Sequence, residues 1–343
     1  MRYKQLGSTG LNVSVVGFGG IPIQRVDPDQ AVEILAACRE QGINFIDTAR
    51  MYTDSEEKIG RFLRGEKREE WYIASKSVAR DYQGMEKEIQ TSLRQLGCDY
   101  IDLYQLHNVG TEADMKKIMA EDGALAAAEK ARRQGYVRHI GITGHKPEIL
   151  EPAVSSGRFA TIQLPFSPLE QQAKSLLKEA VHVQKMGAIA MKPLAGGALG
   201  PAVAALAYIL EQDFIDVVIP GMDCPDQVAA NCVAVTGEVS QEDKDKLQQV
   251  VDQLGNRFCR RCEYCKPCPH GLNIPVLFLM EGYYSRYNLK DWAWERYHAM
   301  DKQAADCVEC GICETRCPYD LPIREMLAEV DAVLGGESPE ETG

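Results

Sequence analysis

The sequence predicts an α/β fold: a (β/α)8 barrel of parallel strands with a small α-helical domain at its C-terminal end. Two observations carry this expectation. Strand-like and helix-like stretches alternate through the first two thirds of the chain, and eight cysteines fall in two short runs near the C-terminus. Eight strand–helix units is the number that a TIM barrel requires. A doubly wound sheet is the structural alternative, and it would place a G-x-G-x-x-G turn after its first strand. Gly17-Phe18-Gly19-Gly20 does not have that spacing.

The elements follow in order. Residues 3–6 and 11–15 flank Gly7-Ser8-Thr9-Gly10 and read as a hairpin closing the barrel bottom. Strands are expected at 15–19, 45–48, 72–76, 101–107, 139–143, 161–164, 189–192 and 216–219. Helices are expected at 30–41, 55–64, 85–97, 123–134, 147–156, 171–185, 201–211 and 225–235. Asp27-Pro28-Asp29 and Asp54-Ser55-Glu56-Glu57 place caps and acidic groups at helix starts. Pro147, Pro201 and Pro225 suit first helical turns. A helix near 241–254 precedes the second domain. The expected division is a barrel over 1–255, a helical domain over 256–331, and a disordered tail over 335–343.

Composition narrows the function. The 343 residues carry a formal net charge of −12, which argues against nucleic acid and anionic membranes as partners. The N-terminus has no apolar signal core and no run is long enough to span a membrane, so a cytoplasmic location is expected. Twelve cysteines in such a protein read as metal ligands, not as a disulfide framework. Cys38, Cys98, Cys224 and Cys232 are scattered and read as small buried hydrophobes.

The other eight form the two runs. Cys307, Cys310, Cys313 and Cys317-Pro318 have the spacing of the bacterial ferredoxin run, in which three close thiolates cap a 4Fe–4S cube and the fourth reaches a neighbouring cluster. Cys259, Cys262, Cys265 and Cys268-Pro269 repeat it with one residue fewer before the last cysteine. Two 4Fe–4S clusters are therefore expected. A structural zinc would use separated C-x2-C pairs instead. Between the runs, Tyr283, Tyr284, Tyr287, Trp292, Trp294 and Tyr297 read first as packing around the clusters.

Barrel enzymes carry catalytic groups at the C-terminal ends of their strands. Asp47, Lys76 and His107 stand at three consecutive strand ends, and Tyr52 follows Asp47 closely. Taken singly, each has a commoner structural use as a cap, an ion-pair member or a hydrogen-bonding residue. Together they form a proton-transfer set. A neutral tyrosine can protonate a developing alkoxide, a neighbouring lysine lowers its pKa, and an aspartate keeps that lysine charged and placed. His107 can polarise the carbonyl oxygen.

With these four positions matched, the barrel resembles the aldo-keto reductase family. The appended cysteine domain resembles that of the family's iron–sulfur-containing members. The resemblance implies Tyr52 as general acid/base supported by Lys76, Asp47 and His107. It implies NADPH or NADH extended across the barrel top and a small-molecule carbonyl or alcohol as substrate. Cofactor contacts are expected from Thr143, Gln163, Met191, Gly196, Gly197 and Asn231. The chain departs from the family at several points. Gly144 stands where an asparagine is usual, and Met191 stands where an aromatic platform is usual. Gly221 and Gln227 occupy positions that often carry cations against the 2′-phosphate. The resemblance does not choose between NADH and NADPH.

Nicotinamide delivers two electrons as hydride, whereas a cube passes one. Three readings therefore stand side by side. The clusters are structural or regulatory in a carbonyl reductase, or they exchange electrons with ferredoxin or another redox partner, or the barrel is a binding module beside a redox sensor. The loop at 108–121, after His107, is the main candidate for substrate specificity.

Overall fold

The computed structural model describes residues 1–336 apart from 256, 262, 288 and 318. The expected cluster ligand Cys262 and most of the expected tail thus lie outside the described residues. By its internal contacts the chain divides into two units. One is Met1–Leu194 with Pro201–Lys244, and the other is Ala195–Gly200 with the residues from Asp245 onward.

The first unit opens with an antiparallel hairpin, β1 (Tyr3–Gln5) and β2 (Asn12–Ser14). The barrel strands follow: β3 (Phe18–Gly19), β4 (Phe45–Asp47), β5 (Tyr72–Ser77), β6 (Ile101–Leu106), β7 (Val137–Thr143), β8 (Thr161–Pro165), β9 (Gly187–Met191) and β10 (Val217–Ile219). Each pairs in parallel with the next, in chain order. The ring closes where Val16 pairs with Val218 and Gly19 with Gly221. The backbone approach there is close. A Cβ on Gly19 would fall 2.8 Å from the Pro220 carbonyl oxygen, so only glycine fits without a shift.

Strands covered on both faces should read as continuous apolar runs, and β6 is buried along its whole length. Leu6, Leu11 and Val13 pack with Phe45, Ala74, Leu103, Ile189 and Val217 in one cluster, so the hairpin plugs the bottom of the barrel interior. Buried Asp216 ties the hairpin down. Its carboxylate accepts from the Gly7 and Ala188 N–H groups at 3.1 and 3.0 Å and faces the Lys4 ammonium at 3.0 Å. A larger cluster lies between the strands and the surrounding helices.

Several helices begin as their sequences predict. Asp27 forms a capping box with Gln30 at the start of Pro28–Glu40. Asp54 does not cap Ser55–Leu63. Its carboxylate pairs instead with Lys58 at 2.8 Å, one turn along. The helix expected over 171–185 is regular only at Lys174–Lys178 and widens into a π turn at Glu179–Val183. The loop expected at 108–121 contains a helix, Glu112–Met119, capped by the Thr111 hydroxyl accepting from the Asp114 N–H at 3.0 Å.

The second unit has its own core, in which Leu277, Tyr297, Leu327 and Leu334 are buried. Its main helices are Ile274–Ser285, Lys290–His298 and Ile323–Leu334. The aromatic link packs internally. The Tyr283 and Trp292 rings meet edge-on at 5.0 Å, and the Tyr297 hydroxyl accepts from the Ala304 N–H at 3.0 Å. Gly336, just past the last helix, accepts from the Trp294 indole at 3.0 Å. Among the described residues no helix is long and apolar enough to cross a membrane.

Candidate active site

β4 and β5 register Asp47 against Ala74, so Lys76, two residues further along β5, lies on the same face near the C-terminal ends of the two strands. The Lys76 ammonium lies 2.6 Å from the Asp47 carboxylate and donates to the Thr48 carbonyl at 2.6 Å. Both side chains are buried. Burial alone would lower the lysine pKa. Asp47 and Tyr52 together more than offset it, so Lys76 stays charged.

The loop after β4 delivers Tyr52 over this pair. It is clamped from both sides. The Arg50 N–H donates to the Lys76 carbonyl at 2.9 Å, and the Ser55 hydroxyl donates to the Gly20 carbonyl at 2.9 Å. Glu56 accepts from the Arg50 guanidinium at 2.6 Å and from Ser75 at 2.5 Å, which ties the following helix to β5. Thr53 takes a positive φ of 37° at the turn. The Tyr52 ring centre then lies 4.9 Å from the Lys76 nitrogen and meets the His107 ring edge-on at 5.8 Å. All four sequence-predicted residues converge.

Electrostatics differ from the simplest expectation in one respect. Lys76 does act to lower the Tyr52 pKa, but burial outweighs it and the phenol titrates above its ordinary value. His107 moves the other way. Burial and the nearby cations Lys76 and Arg80 bring it down to about 3, so its imidazole is neutral at physiological pH. Its Nδ1 is buried with no hydrogen-bond partner among the described residues.

Gln105 is a site residue that the sequence reading missed. Its amide donates to Asp47 at 3.3 Å and to Gln163 at 2.8 Å, so it joins the tetrad to the expected cofactor residue on β8. The signal was present in the alternation of β6, where Leu103, Gln105 and His107 share one face. Gln163 in turn approaches the Met191 sulfur at 3.8 Å. Thr143 accepts from the Asn108 N–H at 3.0 Å, which leaves its own proton to donate. These three lie at the C-terminal ends of β7, β8 and β9, where a carboxamide and a ring could be held.

The departures from the expected cofactor pattern have packing causes. A Cβ on Gly144 would fall 2.7 Å from the Val109 carbonyl. A Cβ on Gly221 would fall 2.7 Å from Pro22. Gln227 exchanges hydrogen bonds with Asp223 at 2.8 and 3.0 Å. Asn231 is buried on the helix Pro225–Thr236. Gly196 and Gly197 both take left-handed backbone angles and group with the second unit.

In the second unit, Cys268 lines one cavity together with Cys307, Cys310 and Cys313. These are three thiols of the second run and the last of the first, which fits the crossed ligation of a two-cube site. Glu309 and Gly311 take positive φ angles of 54° and 74° between these cysteines, curling the backbone around the cavity. The Glu309 N–H points at the Cys307 sulfur at 3.4 Å. No three His, Cys, Asp or Glu side chains among the described residues converge on a single-ion site. A cube makes a different demand, because each thiolate binds a different iron. Cys259, Cys265 and Cys317 are partly or fully buried, while Cys310 is exposed.

Relatives bear on both units. Residues 15–203 match the aldo/keto reductase family, and residues 258–322 match a 4Fe-4S dicluster domain. An aldo-keto reductase of Mycolicibacterium smegmatis is 30% identical over 258 residues, spanning 70% of this chain and 88% of its own. L-galactose dehydrogenase of Arabidopsis thaliana is 29% identical over 310 residues, spanning 75% of this chain and 96% of its own. The solved structure of aldo-keto reductase AKR11C1 from Bacillus halodurans in its holo form is similar with a TM-score of 0.64 at 25% identity, over 73% of this chain and 96% of that one. With a barrel of eight parallel strands and more than half of its length matched, the chain belongs to the aldo/keto reductase family of oxidoreductases and carries a C-terminal 4Fe-4S dicluster domain.

Proposed function

We propose that the protein interconverts a small carbonyl compound and its alcohol, with Tyr52 as general acid/base and NADPH or NADH as hydride carrier. The observation that carries this reading is the buried Asp47–Lys76 pair beneath the Tyr52 ring. When bound, the nicotinamide supplies or takes the hydride. Everything else falls to side chains. Tyr52, protonated at neutral pH, gives its proton to the carbonyl oxygen as that oxygen becomes an alkoxide. Lys76 stabilises the tyrosinate left behind, and Asp47 holds Lys76 charged and in place. Neutral His107 contributes an N–H donor toward the carbonyl without competing for the proton. Thr143 and Gln163 would orient the carboxamide, with Met191 against the ring and Asn231 at the adenine end. Tyr52→Phe should abolish carbonyl reduction while iron content stays intact. Full activity in that variant would sink the assignment.

For the clusters, the reading is two cubes with crossed ligands. Cys307, Cys310, Cys313 and Cys268 hold one, and Cys259, Cys262, Cys265 and Cys317 hold the other. A second reading of their role is supported by the exposure of Cys310, which would let a ferredoxin-type partner approach the first of these cubes. Anaerobic titration with NADPH, recording nicotinamide and cluster absorbance together, separates the two. Bleached clusters mean electronic coupling. Clusters that stay oxidised while an aldehyde is reduced mean a structural or regulatory role.

A further inference from the structure

Gln105 reaches beyond its own neighbours in the sheet. On β6 it registers against Lys76 of β5 and Gly141 of β7, yet its amide donates past β7 to Gln163 on β8 at 2.8 Å. Gly141 makes this reach possible. A Cβ there would fall 3.1 Å from both the Cγ and the Oε1 of Gln105, and 2.2 Å from the Thr161 hydroxyl. The same Gln105 nitrogen donates to Asp47 at 3.3 Å. An amide nitrogen carries two N–H groups, so one serves each neighbour. Asp47, Gln105 and Gln163 are all buried, where such bonds meet little competition from water.

The Gln105 Oε1 is buried with no hydrogen-bond partner among the described residues. An orphaned acceptor is costly, so packing alone does not account for a glutamine at the barrel centre. The orientation of its amide therefore depends on Asp47 and Gln163. Gln163 is poised in the same way. Its Oε1 accepts from Gln105, while its nitrogen only approaches the Met191 sulfur at 3.8 Å. Thioether sulfur is a weak acceptor, and a carboxamide oxygen would be a better one. At the other end, burial pushes the Asp47 carboxyl above its ordinary value, and Lys76 and the amides of Gln163 and Gln105 oppose that.

We propose that Gln105 is a positioning residue that couples occupancy of the carboxamide position at Gln163 to the Asp47–Lys76 pair. A carboxamide oxygen accepting from Gln163 fixes that amide with its Oε1 toward Gln105. Gln105 is then held with its second N–H on Asp47. The coupling is reciprocal, so a placed Asp47 favours a Gln163 oriented for the cofactor. The proposal rests on the reading of Gln163 as a nicotinamide contact and adds a residue that acts through others.

The experiment is a mutant cycle on cofactor affinity, by anaerobic calorimetric titration of the full, cluster-loaded chain with NADP+ and with NAD+. Both carry the carboxamide and neither can reduce the clusters. The members are wild type, Gln105→Leu, the pair variant Asp47→Leu with Lys76→Met, and the combination of all these changes. The pair variant removes the acceptor without stranding a buried charge. Iron content and circular dichroism check folding. Gln105→Leu and the pair variant should each weaken binding about fivefold, at the low end of coupling between sites. The combined variant should bind no more weakly than either. Losses that multiply overturn the proposal, because independent structural effects would add in free energy. Gln105→Leu that binds as wild type does also overturns it, and assigns any coupling to direct contact between Gln163 and Asp47. So does wild-type protein that binds neither dinucleotide. If Gln105→Leu does not fold, Gln105→Met takes its place in the cycle. The tetrad is tested by carbonyl reduction in Tyr52→Phe and this link by affinity alone, so each can fail without the other.

Discussion

Lys76 and Asp47 meet at 2.6 Å with both side chains withdrawn from solvent, at the C-terminal ends of adjacent strands. A buried pair of this kind is costly to break and gives little net stability by itself. Under the proposed mechanism, its presence beneath Tyr52 is explained by what it does to the phenol.

That relationship separates stability from activity. Asp47→Ala should destabilise the fold by about 3–5 kcal/mol, because it strands a buried ammonium. The double variant Asp47→Leu, Lys76→Met should recover most of that loss in urea unfolding, yet show no carbonyl reduction. Recovered activity in the double variant would show that the pair is structural.

His107 imposes an acid limit on the fold. The folded side chain takes its proton only at about 3, whereas an unfolded histidine does so near 6.5. Between these values the unfolded chain binds more protons, so stability rises with pH across the window and is lost as pH falls through it. The slope from this one group is at most about 1.4 kcal/mol per pH unit. His107→Gln should flatten it in chemical denaturation at pH 4–6. An unchanged slope would mean that His107 is protonated in the folded protein.

The rate of carbonyl reduction should follow Tyr52. Its pKa is raised by burial, so the phenol is protonated throughout the neutral range. The pH–rate profile is expected to lack an ionisation near 6.5 from His107 and to fall only at or above the ordinary tyrosine range. A decline centred near neutrality would contradict both assignments.

Replacing Gly144 by the asparagine common in the family should not improve cofactor binding. A Cβ there meets the Val109 carbonyl at 2.7 Å, so the variant is expected to lose about 1–3 kcal/mol of stability by overpacking. Thermal unfolding and NADPH affinity together check this. Tighter binding at unchanged stability would refute it.

Crossed cluster ligation makes a sharp prediction. Cys268→Ser and Cys313→Ser, distant in sequence, should deplete the same cube, because both line one cavity. Iron analysis with electron paramagnetic resonance of the reduced protein should show one signal lost in both variants and retained in Cys265→Ser. Loss of different signals would assign Cys268 to its own run.

The repeating strand–helix pattern, the two cysteine runs and the four polar residues at strand ends were all legible in the chain, because each depends on local spacing. The barrel's count of strands follows from hydrophobic periodicity, and the cube from the distance between neighbouring thiols. Strand limits were less legible. β3 is only Phe18–Gly19, since ring closure there rests on isolated pairings with β10. The helix at Glu112–Met119 was hidden by its short apolar stripe, which offers only Met115 and Ile118 as buried residues. Other properties arise only from the fold, because burial and long-range neighbours set them. These are the neutral state of His107, the raised pKa of Tyr52, and the link that Gln105 makes between Asp47 and Gln163. Residue types and spacings are local, whereas desolvation and convergence are not.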